Sequence, residues 1–251
     1  MDFLFDYYGL RQAQLLRWSP GIGVTLTGTA SARFLAHRGF AETEKGVHVD
    51  PTAYPVHRRS ALRWMVSVLE ETQRRPPFFG CFGLHEWAMV YQAPTVRHTD
   101  VPLRVDKPTL DAFVSAQPVC CSHFDAFRFF TPAARPLNRL QPERATMNQM
   151  EQPGCLHANM DILRWASKMF PWVASDIVAD AFLLACRIRE VDMRASPYDL
   201  SAWGFEPIPI ETPAGRATYR EWQQCLYEEA LPVRQRLIDA AQLLTTGCLN
   251  G

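Results

Sequence analysis

Three short segments in the middle third of the chain concentrate histidine, cysteine and carboxylate side chains: Cys81–Glu86, Cys121–Asp125 and Cys155–Asp161. In the first, Gly80 and Gly83 stand beside a His85-Glu86 pair, a pattern for a tight turn that presents polar side chains at a helix start. In the second, read as extended chain, His123 and Asp125 share a face because strand side chains repeat every two residues. In the third, read as a helix, His157 and Asp161 lie one turn apart on one face, a spacing that suits two ligands of one metal. Each segment thus supplies a histidine with a carboxylate within four positions. Three histidines and one or two carboxylates suit Zn²⁺, Fe²⁺ or Mn²⁺, with coordination positions left for water or substrate. The expected ligands are His85, His123 and His157. Glu86, Asp125 and Asp161 are expected as fourth ligand, orienting group or general base. Fe and Zn lead as the ion. The cysteines read as neighbours, because soft thiolates favour a closed structural site.

The same side chains have a plainer reading as caps and structural residues, since a histidine followed by an acid is common and no His-Glu-x-x-His motif occurs. The other histidines, His37, His48, His57 and His98, stand in polar or loop-like stretches and read as surface residues.

Of the 26 basic residues only Lys45, Lys107 and Lys168 are lysine, and arginine offers a planar fork to carboxylate or phosphate. In the run Arg187–Asp199, Arg187 and Arg194 either pair with acids on their own helix or clamp an anionic substrate. With Arg128, Tyr198 and Trp87 they make up the expected substrate-binding set. Asp176 and Asp180, one turn apart, read as a carboxylate ligand pair or as helix-start charge. Ser122 adjoins His123 in sequence and so points away from it. No Gly-x-Ser-x-Gly elbow, Walker loop or Gly-x-Gly-x-x-Gly cradle is present.

The elements that must position these residues follow from patterning. At 251 residues, with 47% hydrophobic and 21% charged side chains and zero formal net charge, the chain reads as one globular domain over residues 1–251 without the electrostatic footprint of a nucleic-acid binder. Seven cysteines do not form the dense framework of a small secreted protein, and acids stand at the start where a signal peptide needs positive charge. No apolar run approaches the roughly 20 residues that span a bilayer. A cytoplasmic protein with free thiols and no membrane partner is expected.

Periodicity predicts helices over 3–18, 58–74, 84–91, 143–152, 156–169 and 176–194, the last capped by Ser175, and a long helical region from Thr212-Pro213 that Pro232 breaks or kinks. Val24–Thr27 and Val47–Val49 have strand patterning, and Val119–Phe130, rich in aromatics, reads as a further strand. The predicted fold class is mainly α (α+β), a single compact multi-helix domain with a small N-terminal β element.

The strings Pro76–Tyr91, His123–Pro132, Gln152–Asp161 and Asp192–Leu200 together resemble a bacterial family labelled 3-methyladenine DNA glycosylase, and the resemblance spans nearly the whole chain. It implies a base flipped into an aromatic pocket, for which Phe78, Phe79, Trp87, Phe127, Phe129 and Phe130 are available, and a carboxylate such as Asp125 or Asp161 to break the glycosidic bond. The residues themselves point first to a metal-dependent enzyme acting on a small polar or anionic molecule. Nucleic acid enters as partner only through the resemblance, and a non-catalytic binding protein is the remaining alternative.

Overall fold

The computed structural model of the chain describes residues 2–96 and 100–249, so His98 lies outside the described residues. In chain order the elements are α1 (Asp2–Tyr8), α2 (Gln12–Leu15), β1 (Thr25–Leu26), β2 (Phe40–Thr43), β3 (Gly46–Val49), α3 (Arg59–Arg74), α4 (Leu84–Ala88), α5 (Lys107–Ala116), α6 (Phe124–Phe127), α7 (Met147–Met150), α8 (Leu156–Met169), α9 (Ser175–Ala195) and α10 (Pro213–Leu249). Helices dominate and one small sheet lies near the N-terminus, so the chain is mainly α. Among the described residues no helix is long and apolar enough to cross a membrane. The chain divides into two compact units. One comprises Met1–Glu70, Met160–Cys186 and Ala230–Gly251, the other Glu71–Asn159 and Arg187–Glu229.

In the first unit the strands pair antiparallel in the order β1-β3-β2, with Phe40 opposite Val49 and Thr43 opposite Gly46. Val47 and Val49 alternate inward and are 1% exposed, the mark of a sheet with one face buried. Gly46 turns the hairpin at φ 129°, and a Cβ there would stand 2.3 Å from the Leu26 carbonyl oxygen. The helix expected over 3–18 is two helices, because the chain turns left-handed at Gly9 (φ 61°) between α1 and α2. Ser175 opens α9, but its hydroxyl oxygen accepts from the Ser19 N–H at 2.9 Å, tying the loop after α2 to the helix start. The Trp172 indole donates to Asp50 O at 2.8 Å and meets the Tyr54 ring edge-on at 4.9 Å. Patterning puts Leu62, Met65, Val66 and Leu69 on one stripe of α3; Leu62, Met65 and Leu69 are buried and Val66 is half-buried.

In the second unit the core gathers around Trp87, which is fully buried; its indole N–H donates to Ala195 O at 2.9 Å and its ring meets Phe113 edge-on at 4.8 Å. Helix α5, for which the patterning gave no expectation, starts from Asp106, whose carboxylate accepts the Thr109 N–H at 2.8 Å. The segment 119–130 is not a strand. Its extended part meets a side chain instead of a neighbouring strand: Asn138 accepts the Cys121 N–H at 2.7 Å and donates to Cys121 O at 2.9 Å. The chain then turns into α6, with His123 at the cap position and Asp125 in the first turn, so the period-two reading of that pair does not apply. The helix expected over 143–152 is a 3₁₀ turn, Arg144–Thr146, followed by α7.

Candidate metal centre

Two of the three histidine segments open helices from tight turns. Before α4, Phe82 (φ 46°) and Gly83 (φ 71°) are consecutive left-handed residues. A non-glycine residue in that region is rare and stores strain where it occurs, as it does here three positions before His85. Before α8, Gln152 fastens the turn: its Oε1 accepts from Phe78 N at 2.9 Å and Gly154 N at 2.7 Å, and its Nε2 donates to Phe78 O at 3.2 Å. A Cβ on Gly154 would lie 2.8 Å from Phe78 O, so close approach of the two segments requires glycine there. Gln223 on α10 joins both turns, donating from Nε2 to Gly154 O at 2.6 Å and to Cys81 Sγ at 3.2 Å. One carboxamide thus spans the segments from which His85 and His157 project.

The imidazoles of His85 and His157 stand perpendicular, ring centroids 4.3 Å apart at 86°, and both residues are buried. Asp192 on α9 completes the group. The ligand atoms of His85, His157 and Asp192 lie within 4.8 Å of one another, and the three residues could hold a metal ion. His85 Nε2 is 3.1 Å from Asp192 Oδ1. Among the described residues these two buried atoms nevertheless have no aligned hydrogen-bond partner. Ligand atoms about 2.1 Å from a common ion are separated by about 3.0 to 3.4 Å in octahedral or tetrahedral geometry, so the spacing is that of two ligands. The second oxygen, Oδ2, accepts from Arg189 Nη1 at 3.0 Å, and the same guanidinium nitrogen donates to Glu86 Oε1 at 3.1 Å.

Electrostatics separate the three groups. Burial works to raise the Asp192 pKa, but His85, His157 and Arg189 outweigh it and hold the carboxyl well below its ordinary range. Burial lowers His85, yet the Asp192 carboxylate beside it leaves a net upward shift. Burial and then His85 push His157 well below its ordinary value, so it stays a neutral donor. Burial also pushes the thiols of Cys81, Cys121 and Cys155 up, which keeps them protonated beside the site.

His123 stands near this group, its ring centroid 5.4 Å from that of His157. Its Nδ1 is 2.9 Å from the Glu151 carboxylate, which turns the opposite ring edge, with Nε2, away from Glu151. Glu151 is itself 2% exposed, and Arg75 donates to its carbonyl at 2.8 Å.

No family model, no curated protein and no solved structure matches the chain.

The remaining expected site residues fall as follows. Glu86 lies beside the group through Arg189, its Oε1 3.9 Å from His85 Nε2. Asp125 pairs with Arg128 Nε at 3.0 Å within α6 and its cap, and the Arg128 guanidinium lies 4.2 Å over the Phe129 ring. Asp161, one turn along α8 from His157, belongs to the other compact unit, where Arg164 Nη1 meets it at 3.2 Å. Arg187 is half exposed and pairs with Glu229. Arg194 bonds Glu206 O at 2.9 Å and Glu190 at 3.3 Å. Tyr198 is buried in a bridge with Leu103, and Trp87 is the core residue described above, with the Arg104 guanidinium 5.2 Å over its ring.

Asp192, Arg189 and Glu151 were not among the expected site residues. For Asp192 a signal existed: Ile188, Val191 and Ala195 form the buried stripe of this part of α9, and Asp192 follows Ile188 by four positions. A carboxylate on an apolar stripe needs a partner of opposite charge or an ion. It was masked by the surrounding Arg and Glu, which read as ordinary surface pairs.

Proposed function

We propose that this protein is a metal-dependent enzyme in which His85, His157 and Asp192 hold a divalent ion, Fe²⁺ or Zn²⁺, and that it acts on a small polar or anionic molecule. The observation that carries the reading is the convergence of three buried ligand atoms within 4.8 Å, two of them without an aligned partner among the described residues. Two imidazoles and one carboxylate leave coordination positions for water and substrate, which is the arrangement of a reactive rather than a closed structural site. When bound, such an ion supplies Lewis acidity and lowers the pKa of a bound water. The protein's own part is to hold the ligands. Arg189 fixes Asp192 through Oδ2 so that Oδ1 faces the histidines. His123, held by Glu151, stands with its ring beside that of His157. In this reading Asp192 takes the ligand position that sequence patterning gives to His123.

The test is elemental analysis and metal titration of the purified protein and four variants. Wild type is expected to bind about one equivalent of Fe or Zn. His85→Ala, His157→Ala and Asp192→Ala each weaken binding about 100-fold or more, while His123→Ala keeps it within a few fold. No uptake of Fe, Zn or Mn by wild type overturns the reading. Release of 3-methyladenine from alkylated DNA, at equal rates in wild type and the three ligand variants, would transfer the function to base excision.

A further inference from the structure

Helix α10 carries two polar atoms beside this centre that the metal reading does not use. Tyr219 and Gln223 are one turn apart and fully buried. Among the described residues the Tyr219 hydroxyl and the Gln223 Oε1 have no hydrogen-bond partner. Burying such groups unpaired is costly, and natural interiors rarely tolerate it without a ligand or water to complete them. The Gln223 group cannot turn away. The Gln223 carboxamide is fixed by its Nε2, which donates to Gly154 O at 2.6 Å and Cys81 Sγ at 3.2 Å, and this sets the direction of Oε1. The Tyr219 ring lies against Gly83, where a Cβ would stand 3.3 Å from Cε2 and 3.4 Å from Cζ.

The two atoms therefore sit against the turns that lead into α4 and α8, and so against the segments that carry His85 and His157. Burial, with Cys81 and Asp192 adding, raises the phenol well above its ordinary pKa, so it is a neutral O–H donor. The amide oxygen can only accept.

We propose that Tyr219 and Gln223 form the recognition edge of the metal centre, and that its ligand is a small carboxamide- or hydroxamate-type molecule. Its oxygen faces the ion and accepts from Tyr219, while its adjacent N–H donates to Gln223 Oε1. This rests on His85, His157 and Asp192 holding an ion, and it adds a substrate class to that reading. An oxygen acid without an N–H, such as acetate, would satisfy Tyr219 and leave Gln223 Oε1 bare. A hydrogen bond to a site built for it discriminates strongly against an analogue that lacks it.

The probes are acetohydroxamate and N-methylacetohydroxamate, which keeps both chelating oxygens but has no N–H. Each is titrated calorimetrically into the metal-loaded wild type, Tyr219→Phe and Gln223→Leu, with metal content measured in parallel. Wild type is expected to prefer acetohydroxamate about tenfold, one hydrogen bond's worth. Gln223→Leu removes that preference. Tyr219→Phe weakens both probes about tenfold at unchanged metal content, and its melting temperature without ligand is unchanged or raised because it loses no protein hydrogen bond. Should Gln223→Leu fail to fold, Tyr219→Phe, which leaves the Gln223 clamp intact, and the N-methyl comparison in wild type still decide. Equal binding of the two probes together with no effect of Tyr219→Phe overturns the proposal, as does a lowered melting temperature for Tyr219→Phe, the sign of a structural hydrogen bond to a buried water. If wild type holds no ion, the metal reading fails separately. The titrations are then made on the metal-free protein, where the Tyr219→Phe and N-methyl differences support or overturn the recognition edge by the same criteria.

Discussion

Helix α9 bears an arginine–carboxylate cluster near each end, and the two are built from the same chemistry in opposite surroundings. In the first unit Arg236 reaches Asp176 at 2.6 Å and Asp180 at 2.5 Å, with side chains 39%, 68% and 46% exposed. In the second unit Arg189 reaches Glu86 and Asp192 with side chains 14%, 13% and 0% exposed. Water screens the first cluster, so its pairs contribute little and its arginine does no more than tie two solvated acids. At the second, every charge left without a partner costs several kcal/mol, and the carboxylate oxygen facing His85 remains available for a cation. Two acids near one arginine are therefore not a site in themselves. Burial and a convergent histidine pair make one.

The largest expected effect breaks the buried cluster. Asp192→Ala should remove metal binding and destabilise the fold by about 3–5 kcal/mol in denaturant titration, because Arg189 is left buried without its closest acid. A loss below about 1 kcal/mol would mean that water reaches the cluster, and the contrast with Arg236 would collapse. Arg189→Met should cost somewhat less, about 2–4 kcal/mol, since Glu86 keeps access to solvent while Asp192 loses its orienting donor. Metal affinity should fall about 10-fold in the same variant, measured by competition with a chelator.

An intermediate case sharpens the comparison. Arg104 grips Glu211 through both nitrogens, at 2.5 and 2.8 Å, with side chains 11% and 22% exposed. Burial works to raise the Glu211 pKa, but the Arg104 hydrogen bonds overcome it and the net shift is downward. A depressed carboxylate contributes stability that is present above its unfolded pKa and is lost as pH falls through the folded value. Denaturant midpoints between about pH 6 and pH 3 should thus fall less steeply in Glu211→Gln than in wild type. Identical slopes would show that the pair is fully screened. The smallest effect belongs to Arg236→Ala, expected to cost about 1 kcal/mol or less and to shrink further in 1 M salt.

How much of this is legible in the sequence depends on whether the informative force is local. The helices α3, α8 and α9 follow from apolar stripes such as Leu62, Met65 and Leu69, which burial alone dictates. The three histidine segments stand out by composition, and the rings of His85 and His123 do lie 4.3 and 5.4 Å from that of His157. Asp192 is hidden because its partner His85 is about a hundred positions away, and within a run of charges only the three-dimensional stripe distinguishes the buried one. The segment around Cys121 reads as a strand because it is rich in aromatics. What sequence does not reveal is that its hydrogen bonds go to a side chain seventeen residues on.

That side chain has a consequence for how the sequence can drift. Asn138 accepts from Cys121 N, donates to Cys121 O and donates to Leu140 O at 2.6 Å, so one short carboxamide faces three backbone groups at once. Aspartate would set an oxygen against two carbonyls, glutamine is a methylene too long, and serine or threonine has one donor hydrogen where two are used. Among diverging copies of this chain, position 138 should therefore stay asparagine. Position 121 contributes only its main-chain N–H and C=O to this clasp, but its buried thiol donates to His123 O at 3.6 Å, so serine, which keeps a donor of similar size, is the exchange it should accept.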